Sequence, residues 1–243
     1  MLRAERTTGD DRFAALNKRF AGATPEEILT WAGKEFSPDL SLACSFGGAS
    51  GMVLLDMVAK LRVDLEVFYL DTELLFPETY ALRDEAARRY GIQPVGYRSR
   101  LSLAEQADKH GAELWRADPD RCCYLRKIAP NEEALRGKRA WISGIRRDQS
   151  DTRASIPPVQ WDDTFGLVKL CPLVSWTEEQ VHIYVAEHHV PVNELHAKGY
   201  PSIGCTPCTR PVMPGESSRA GRWAGSSKTE CGLHLPRKLA ALA

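Results

Sequence analysis

The chain has 243 residues, enough to bury a full core as one domain of ordinary size with an extension. Lys plus Arg (32) balance Asp plus Glu (32), so global charge points to neither a nucleic-acid nor a membrane partner, and anion binding must come from local clusters. Seven cysteines follow a start, Met1-Leu2-Arg3-Ala4-Glu5-Arg6, that lacks the apolar stretch of a secretory signal. That combination predicts a reducing cytoplasm and metal-binding or catalytic thiols rather than a disulfide framework. The longest apolar run, Met52 to Leu61, is broken by Asp56 and Lys60 and is too short to cross a bilayer.

Thr24-Pro25-Glu26-Glu27 is a capping box with proline at the first helical position, predicting a helix over 25–35. A strand over 40–46 runs into Gly47-Gly48-Ala49-Ser50-Gly51 and then an apolar helix from Met52 to Val58. A second strand over 65–70 ends at Asp71-Thr72, a helix covers 77–90, and a third strand covers 92–97. Residues 140–144 and 167–170 read as short buried strands, and Thr177-Glu178 opens a helix ending near His188, before Pro191. Strands alternating with helices predict an α/β fold with a doubly wound, mainly parallel sheet. From Tyr200 onward apolar periodicity stops and Pro, Gly, Ser and Thr become dense, predicting a metal-anchored segment followed by a flexible C-terminal tail. The expected divisions are 1–38, an N-terminal helical segment; 39–199, the α/β domain; and 200–243, the anchored segment and tail.

Ser45-Phe46-Gly47-Gly48-Ala49-Ser50-Gly51 lies between a strand and a helix. Glycines there let backbone approach an anion, hydroxyls donate to it, and the helix N-terminus adds partial positive charge. The segment is neither a Walker loop nor Gly-x-Gly-x-x-Gly. It resembles a relaxed form of the Ser-Gly-Gly-x-Asp-Ser loop of the PP-loop ATP pyrophosphatases, without the Asp. Asp71-Thr72 closes a strand at the carboxyl edge, where open α/β sheets bind ligands.

Cys122-Cys123 and Cys205-Thr206-Pro207-Cys208 carry the strongest signal, two tight pairs suited to one four-thiolate site. Adjacent cysteines are less usual on a single zinc, whereas an iron–sulfur cluster offers each thiolate its own corner. Cys44 and Cys171, inside apolar strands, read as core. Cys231, in a glycine-containing tail with no cysteine partner nearby, has the features of a nucleophile that visits two partners. Arginines and lysines recur beside these features: Arg121, Arg126 and Lys127; Arg146, Arg147 and Arg153; Arg219 and Arg222. Their placement in loops favours an anionic ligand. Among the histidines, only His234, three after Cys231, is a functional candidate.

Taken together, from Leu40 to His234, the chain resembles the assimilatory sulfonucleotide reductases, specifically the adenylyl-sulfate (APS) reductases with a [4Fe–4S] cluster. The resemblance rests on Ser45-Phe46-Gly47-Gly48, Leu70-Asp71-Thr72 with Phe76-Pro77-Glu78-Thr79, Cys122-Cys123 with Arg126-Lys127, and Gly144-x-Arg146-Arg147-x-Gln149-Ser150. Gly199-Tyr200-Pro201-Ser202-Ile203-Gly204-Cys205-Thr206-x-Cys208 and the Lys228-x-Glu230-Cys231-Gly232-Leu233-His234 tail complete it. Glu73 departs from it, standing where many relatives have glycine. The resemblance implies a PP-loop-like adenine-nucleotide fold and cluster ligation by Cys122, Cys123, Cys205 and Cys208, with Cys231 as nucleophile. It implies substrate contacts at Ser45, Phe46, Gly47, Gly48, Asp71, Thr72, Lys127, Arg146, Arg147, Arg153, Arg219, Arg222 and His234.

The implied reaction is reduction of APS to sulfite and AMP through a cysteine S-sulfonate. Thioredoxin or glutaredoxin is the reductant, the setting is sulfate assimilation toward cysteine, and assembly as a homo-oligomer is left open. Reduction of the 3′-phosphorylated substrate (PAPS), alone or alongside APS, is the alternative; retention of all four cysteines favours APS. Two different classes compete. A PP-loop ATP-dependent tRNA-thiolating enzyme conflicts with the missing Asp and the neutral charge. A non-enzymatic metal or redox module leaves Cys231 and the glycine loop without a role.

Overall fold

In a computed structural model, residues 9–234 are described; residues 1–8 of the expected 1–38 segment and 235–243 of the expected 200–243 segment lie outside them. In chain order the elements are α1 (Gly9–Arg19), α2 (Pro25–Phe36), β1 (Leu40–Ala43), α3 (Ala49–Leu61), β2 (Glu66–Asp71), α4 (Pro77–Tyr90) and β3 (Val95–Arg98). Then come α5 (Leu103–His110), α6 (Leu114–Ala117), α7 (Pro119–Cys123), a π-helical turn (Tyr124–Ile128) and α8 (Ala129–Ala134). β4 (Ala140–Ser143), β5 (Val159–Asp162), β6 (Leu167–Leu170) and α9 (Glu178–Glu187) complete the described order, with short 3-10 turns between. The strands form a six-stranded sheet in the order β3-β2-β1-β4-β6-β5. β1 and β4, β4 and β6, and β2 and β3 pair in parallel; β5 runs antiparallel to β6. The sheet is thus mainly parallel, as alternation of strands and helices predicts.

The chain packs as two units. The first holds residues up to 44, 50–66 and 137–190; the second holds 45–49, 67–136 and 191 onward. In the first unit, α2 begins with the expected capping box, Thr24 and Glu27 exchanging bonds with each other's backbone N–H, and buries Ile28, Leu29, Ala32 and Phe36. α3 is apolar on nearly every side, with Met52, Val53, Leu54 and Leu55 fully buried. Its one buried acid, Asp56, accepts from Tyr184 Oη at 2.8 Å and Lys60 Nζ at 2.6 Å. Cys44 and Cys171 are core residues, 1% and 0% exposed.

Three boundaries differ most from expectation. The third strand, expected over 92–97, runs from Val95 to Arg98. The strand expected over 40–46 ends at Ala43, and Phe46 adopts φ 52°, which no strand can continue. Asn193 Nδ2 donates to the Phe46 carbonyl at 3.1 Å, holding that turn within the second unit. The helix expected from Met52 starts at Ala49, so Ala49, Ser50 and Gly51 form its first turn. The edge strand β5 has no sequence signature: it follows two prolines, is four residues long and alternates weakly. Asn17 fixes it by bonding both backbone groups of Val159, at 2.8 and 2.9 Å.

Candidate active site

Within the second unit, α7 is capped by Asp118, whose side chain accepts from Arg121 N at 2.9 Å, and its last turn carries Cys122 and Cys123. The π-turn that follows carries Arg126 and Lys127; wide turns of this kind concentrate at functional sites. The second cysteine pair reaches the same place on a 3-10 turn at Thr206–Cys208, held by Thr206 N donating to Leu74 O at 2.7 Å. Cys122, Cys123, Cys205 and Cys208 line one pocket with Lys127 and Trp223. Thr72 Oγ1 lies 3.3 Å from Cys205 Sγ. Burial, then the neighbouring Cys205 and Cys208, pushes the Cys122 thiol up to about 11. Burial likewise raises Cys123 and Cys208. Burial works against the Lys127 ammonium, yet Cys205, Cys231 and Cys123 together hold its pKa above the ordinary lysine value. Thiols crowded in a dry pocket beside a cation suit a ligand that takes them as thiolates. Among the described residues, no three His, Cys, Asp or Glu side chains close on a single metal-ion position.

The strand end that meets this pocket is tightly built. Asp71 Oδ1 accepts from Tyr80 Oη at 2.6 Å and from Glu73 N at 3.1 Å, while Oδ2 accepts from Arg98 Nε at 2.8 Å. Burial opposes ionisation of Asp71, but these bonds outweigh it and leave its pKa below the ordinary value. Arg126, with 1% of its side chain exposed, donates to Gln106 Oε1, Glu73 Oε2, Leu101 O and Thr72 O. One guanidinium therefore ties the Asp71-Thr72-Glu73 turn to the segment bearing the first cysteine pair.

The tail comes to the same unit's pocket. Cys231 is half-buried and near enough to Cys123 and Lys127 for its charge to act on both. Glu230, 4% exposed, pairs with Arg219 at 3.2 Å, and Arg219 also donates to Thr229 O at 2.9 Å. Lys228 pairs with Asp120 of α7. Arg222 donates to Ser202 Oγ at 3.2 Å and stacks on Trp223, its guanidinium carbon 4.4 Å from the ring centre. It packs so closely on Gly204 that no Cβ fits there, and its charge reaches both Cys208 and Lys127. His234, the last described residue, is half-buried.

In the glycine loop, Gly47 N donates to Ser45 Oγ at 3.4 Å, and Gly47 abuts Ile203. Phe46 is fully buried, its ring edge-on to Tyr69 with centroids 5.8 Å apart. In the first unit, Arg146 donates to Ser50 Oγ at 2.5 Å and to both oxygens of Asp148, at 2.9 and 3.2 Å. Arg153 donates to Gln149 Oε1 at 2.5 Å, and Arg147, exposed, donates to Ile156 O at 2.9 Å. The sequence reading passed over Asn193, Glu73, Asp120, Glu230 and Trp223 as site-building residues. Glu230 stands inside the tail motif and Glu73 is the noted departure from the family pattern; Asp120, Asn193 and Trp223 give no signal in the sequence.

A mainly parallel sheet flanked by helices, with a glycine loop and a thiol pocket, defines an α/β protein, and known proteins narrow this. The phosphoadenosine phosphosulfate reductase domain model matches residues 39–211, and the chain belongs to that family of reductases. It is 48% identical over 224 residues to the adenosine 5′-phosphosulfate reductase of Salinibacter ruber, covering 92% of this chain and 88% of that one. It is 45% identical over 227 residues to the protein of the same name from Shouchella clausii, covering 93% and 94%. Among solved structures, the phosphoadenylyl-sulfate (PAPS) reductase of Candida auris in a phosphate complex superposes with TM-score 0.75. It is 31% identical, over 86% of this chain and 99% of that one. The FMN adenylyltransferase of Candida glabrata, 19% identical with TM-score 0.57 over 86% of this chain and 67% of that one, shares the fold. No helix among the described residues is long and apolar enough to cross a membrane.

Proposed function

We propose that this chain reduces APS to sulfite and AMP in sulfate assimilation, with Cys231 as nucleophile and a thioredoxin-type dithiol as reductant. The observation that carries the reading is the meeting of two cysteine pairs, Lys127 and the Cys231 tail in one unit. The names of the relatives from S. ruber and S. clausii support it. The donor set, four thiols on one pocket with a cation beside them, fits a [4Fe–4S] cluster held by Cys122, Cys123, Cys205 and Cys208. When bound, such a group supplies a fixed electrostatic and structural anchor at the sulfate end.

The chain's own groups do the rest. The Cys231 thiolate attacks the sulfur of APS, forming an S–S bond while the S–O bond to the phosphate breaks and AMP leaves with that electron pair. Lys127 and Arg222 offset the repulsion between a thiolate and a sulfate. A dithiol thiolate then attacks Cys231 Sγ, sulfite departs with the electron pair and a mixed disulfide forms; the second thiol attacks the reductant's sulfur, breaks that bond and releases the Cys231 thiolate as the reductant's disulfide closes. The glycines at 47 and 48, leading into α3, offer backbone N–H groups and a helix N-terminus to the nucleotide phosphate.

The test is sulfite release from APS and from PAPS by the iron-loaded enzyme with thioredoxin or glutaredoxin. APS turnover that disappears in Cys231→Ser while nucleotide binding persists is expected. Equal or better kcat/KM with PAPS overturns the substrate assignment, and full turnover by Cys231→Ser overturns the mechanism.

A further inference from the structure

We infer that residues 228–232 are docked by two ion pairs, Lys228–Asp120 and Glu230–Arg219, which hold Cys231 at the pocket and must open before a dithiol reductant reaches its sulfur. This deepens the proposed function and rests on Cys231 being the nucleophile. Lys228 and Glu230 act on the reaction through Cys231 and are positioning residues.

The two pairs are unlike the surface ion pairs elsewhere in the chain. Each has one nearly buried member, Lys228 at 8% beside Asp120 at 42% and Glu230 at 4% beside Arg219 at 20%, whereas Arg116–Glu113 is open on both sides at 82% and 59%. Shielded pairs hold geometry that exposed ones do not, because separating them leaves a charge without a partner. Each pair fastens a different support. Asp120 belongs to α7, two residues before Cys122, and Lys228 Nζ also lies 5.7 Å from the Trp223 ring centre. Trp223 N donates to Cys208 O at 3.0 Å, so Lys228 is braced between the two cysteine segments. Arg219 grips the chain twice, through Glu230 and through Thr229 O. Just beyond Cys231, Gly232 lies on Ile128 of the π-turn. The nucleophile is fastened on both sides.

This arrangement suits one half-reaction and opposes the other. Attack on APS needs the thiol fixed beside Lys127. Release of sulfite needs an incoming thiolate in line with the bond it breaks, opposite the departing sulfite, and a folded reductant cannot approach a half-buried sulfur whose flanks are pinned.

The experiment uses the iron-loaded enzyme carrying Asp120→Asn, Glu230→Gln, or the charge swap Asp120→Lys with Lys228→Asp. Three rates are read: S-sulfonate formation from saturating APS in a single turnover, reduction of the isolated S-sulfonated enzyme by thioredoxin, and iodoacetamide labelling of Cys231 in the resting protein, located by peptide mass. The single variants are expected to form S-sulfonate about tenfold more slowly, yet to be reduced and labelled faster than wild type. The charge swap is expected to return all three rates toward wild type. Wild-type rates throughout, or a uniform slowing of all three steps, overturns the inference. S-sulfonate formation by Cys231→Ser marks failure of the underlying reading instead, and is seen in that variant alone.

Discussion

Glu73 adopts a left-handed backbone, φ 59°, and from there sets its carboxylate 2.6 Å from the guanidinium of the fully buried Arg126. The two features oppose each other energetically. A non-glycine residue in this region costs on the order of 1 kcal/mol, and glycine would remove that cost. Removing the partner of a buried charge costs about 3 kcal/mol, although Gln106, Leu101 O and Thr72 O would remain as neutral acceptors. The ion pair wins. Glu73→Gly is therefore expected to lower Tm by roughly 4–8 °C, from a net loss near 2 kcal/mol in a chain of this size. Calorimetry showing an unchanged or raised Tm would mean that backbone strain dominates.

Asp71 gives a pH dependence whose sign is set by its three bonds. Its folded pKa is lowered, with Tyr80, the Glu73 N–H and Arg98 outweighing burial. A carboxylate depressed in the folded state contributes stability at pH above its unfolded value and loses it as pH falls through the folded value. The stability gap between wild type and Asp71→Asn is expected to be constant from about pH 7 to pH 5 and to shrink below about pH 4, where unfolded aspartates begin to protonate. Urea unfolding across that range checks it; a gap that stays constant down to pH 3 contradicts the assignment.

How much was legible beforehand divides along sequence separation. Helix 77–90 and strand 167–170 fall where their caps, proline and apolar runs predict, because those signals are local. The two cysteine pairs were readable as one site because thiol chemistry is rare and its spacing tight. Glu73–Arg126 and Lys228–Asp120 were not, since they join residues 53 and 108 positions apart and no local rule selects one acid among 32. Asn193 failed for the same reason: it bonds Phe46 O and Thr79 Oγ1, 147 and 114 positions away. The early end of β1 was hidden because Phe46 is a good strand former and only tertiary bonds hold its backbone left-handed.

Single replacements Cys122→Ser, Cys123→Ser, Cys205→Ser and Cys208→Ser, made in anaerobically purified protein, test the donor set. Each is expected to lose most bound iron and acid-labile sulfide and to lose protection of the 200–209 backbone from hydrogen exchange, since binding and local folding are linked. Cys44→Ser and Cys171→Ser, core residues that do not line that pocket, should keep their iron while losing stability. One zinc and no sulfide in the wild-type protein would rule out the cluster.

Gly232 supplies the sharpest mutational test of the tail. Its φ of 88° lies in the region that favours glycine, and a Cβ there would stand 2.9 Å from Ile128 Cδ1. Ile128 Cδ1, at the end of its side chain, can give way, but an alanine at this φ strains the tail's backbone whatever Ile128 does, and the tail shifts to relieve it. Turnover of APS is expected to fall at least about tenfold, equivalent to 1.4 kcal/mol of lost positioning. Iron content and Tm should stay at wild-type values, because the change lies outside the core. Combining it with Ile128→Ala removes the clash but leaves the backbone strain, so activity should recover in part and not fully. Full activity in Gly232→Ala would show that Cys231 does not need the docked geometry, and full recovery in the double variant would show that the steric contact alone sets it.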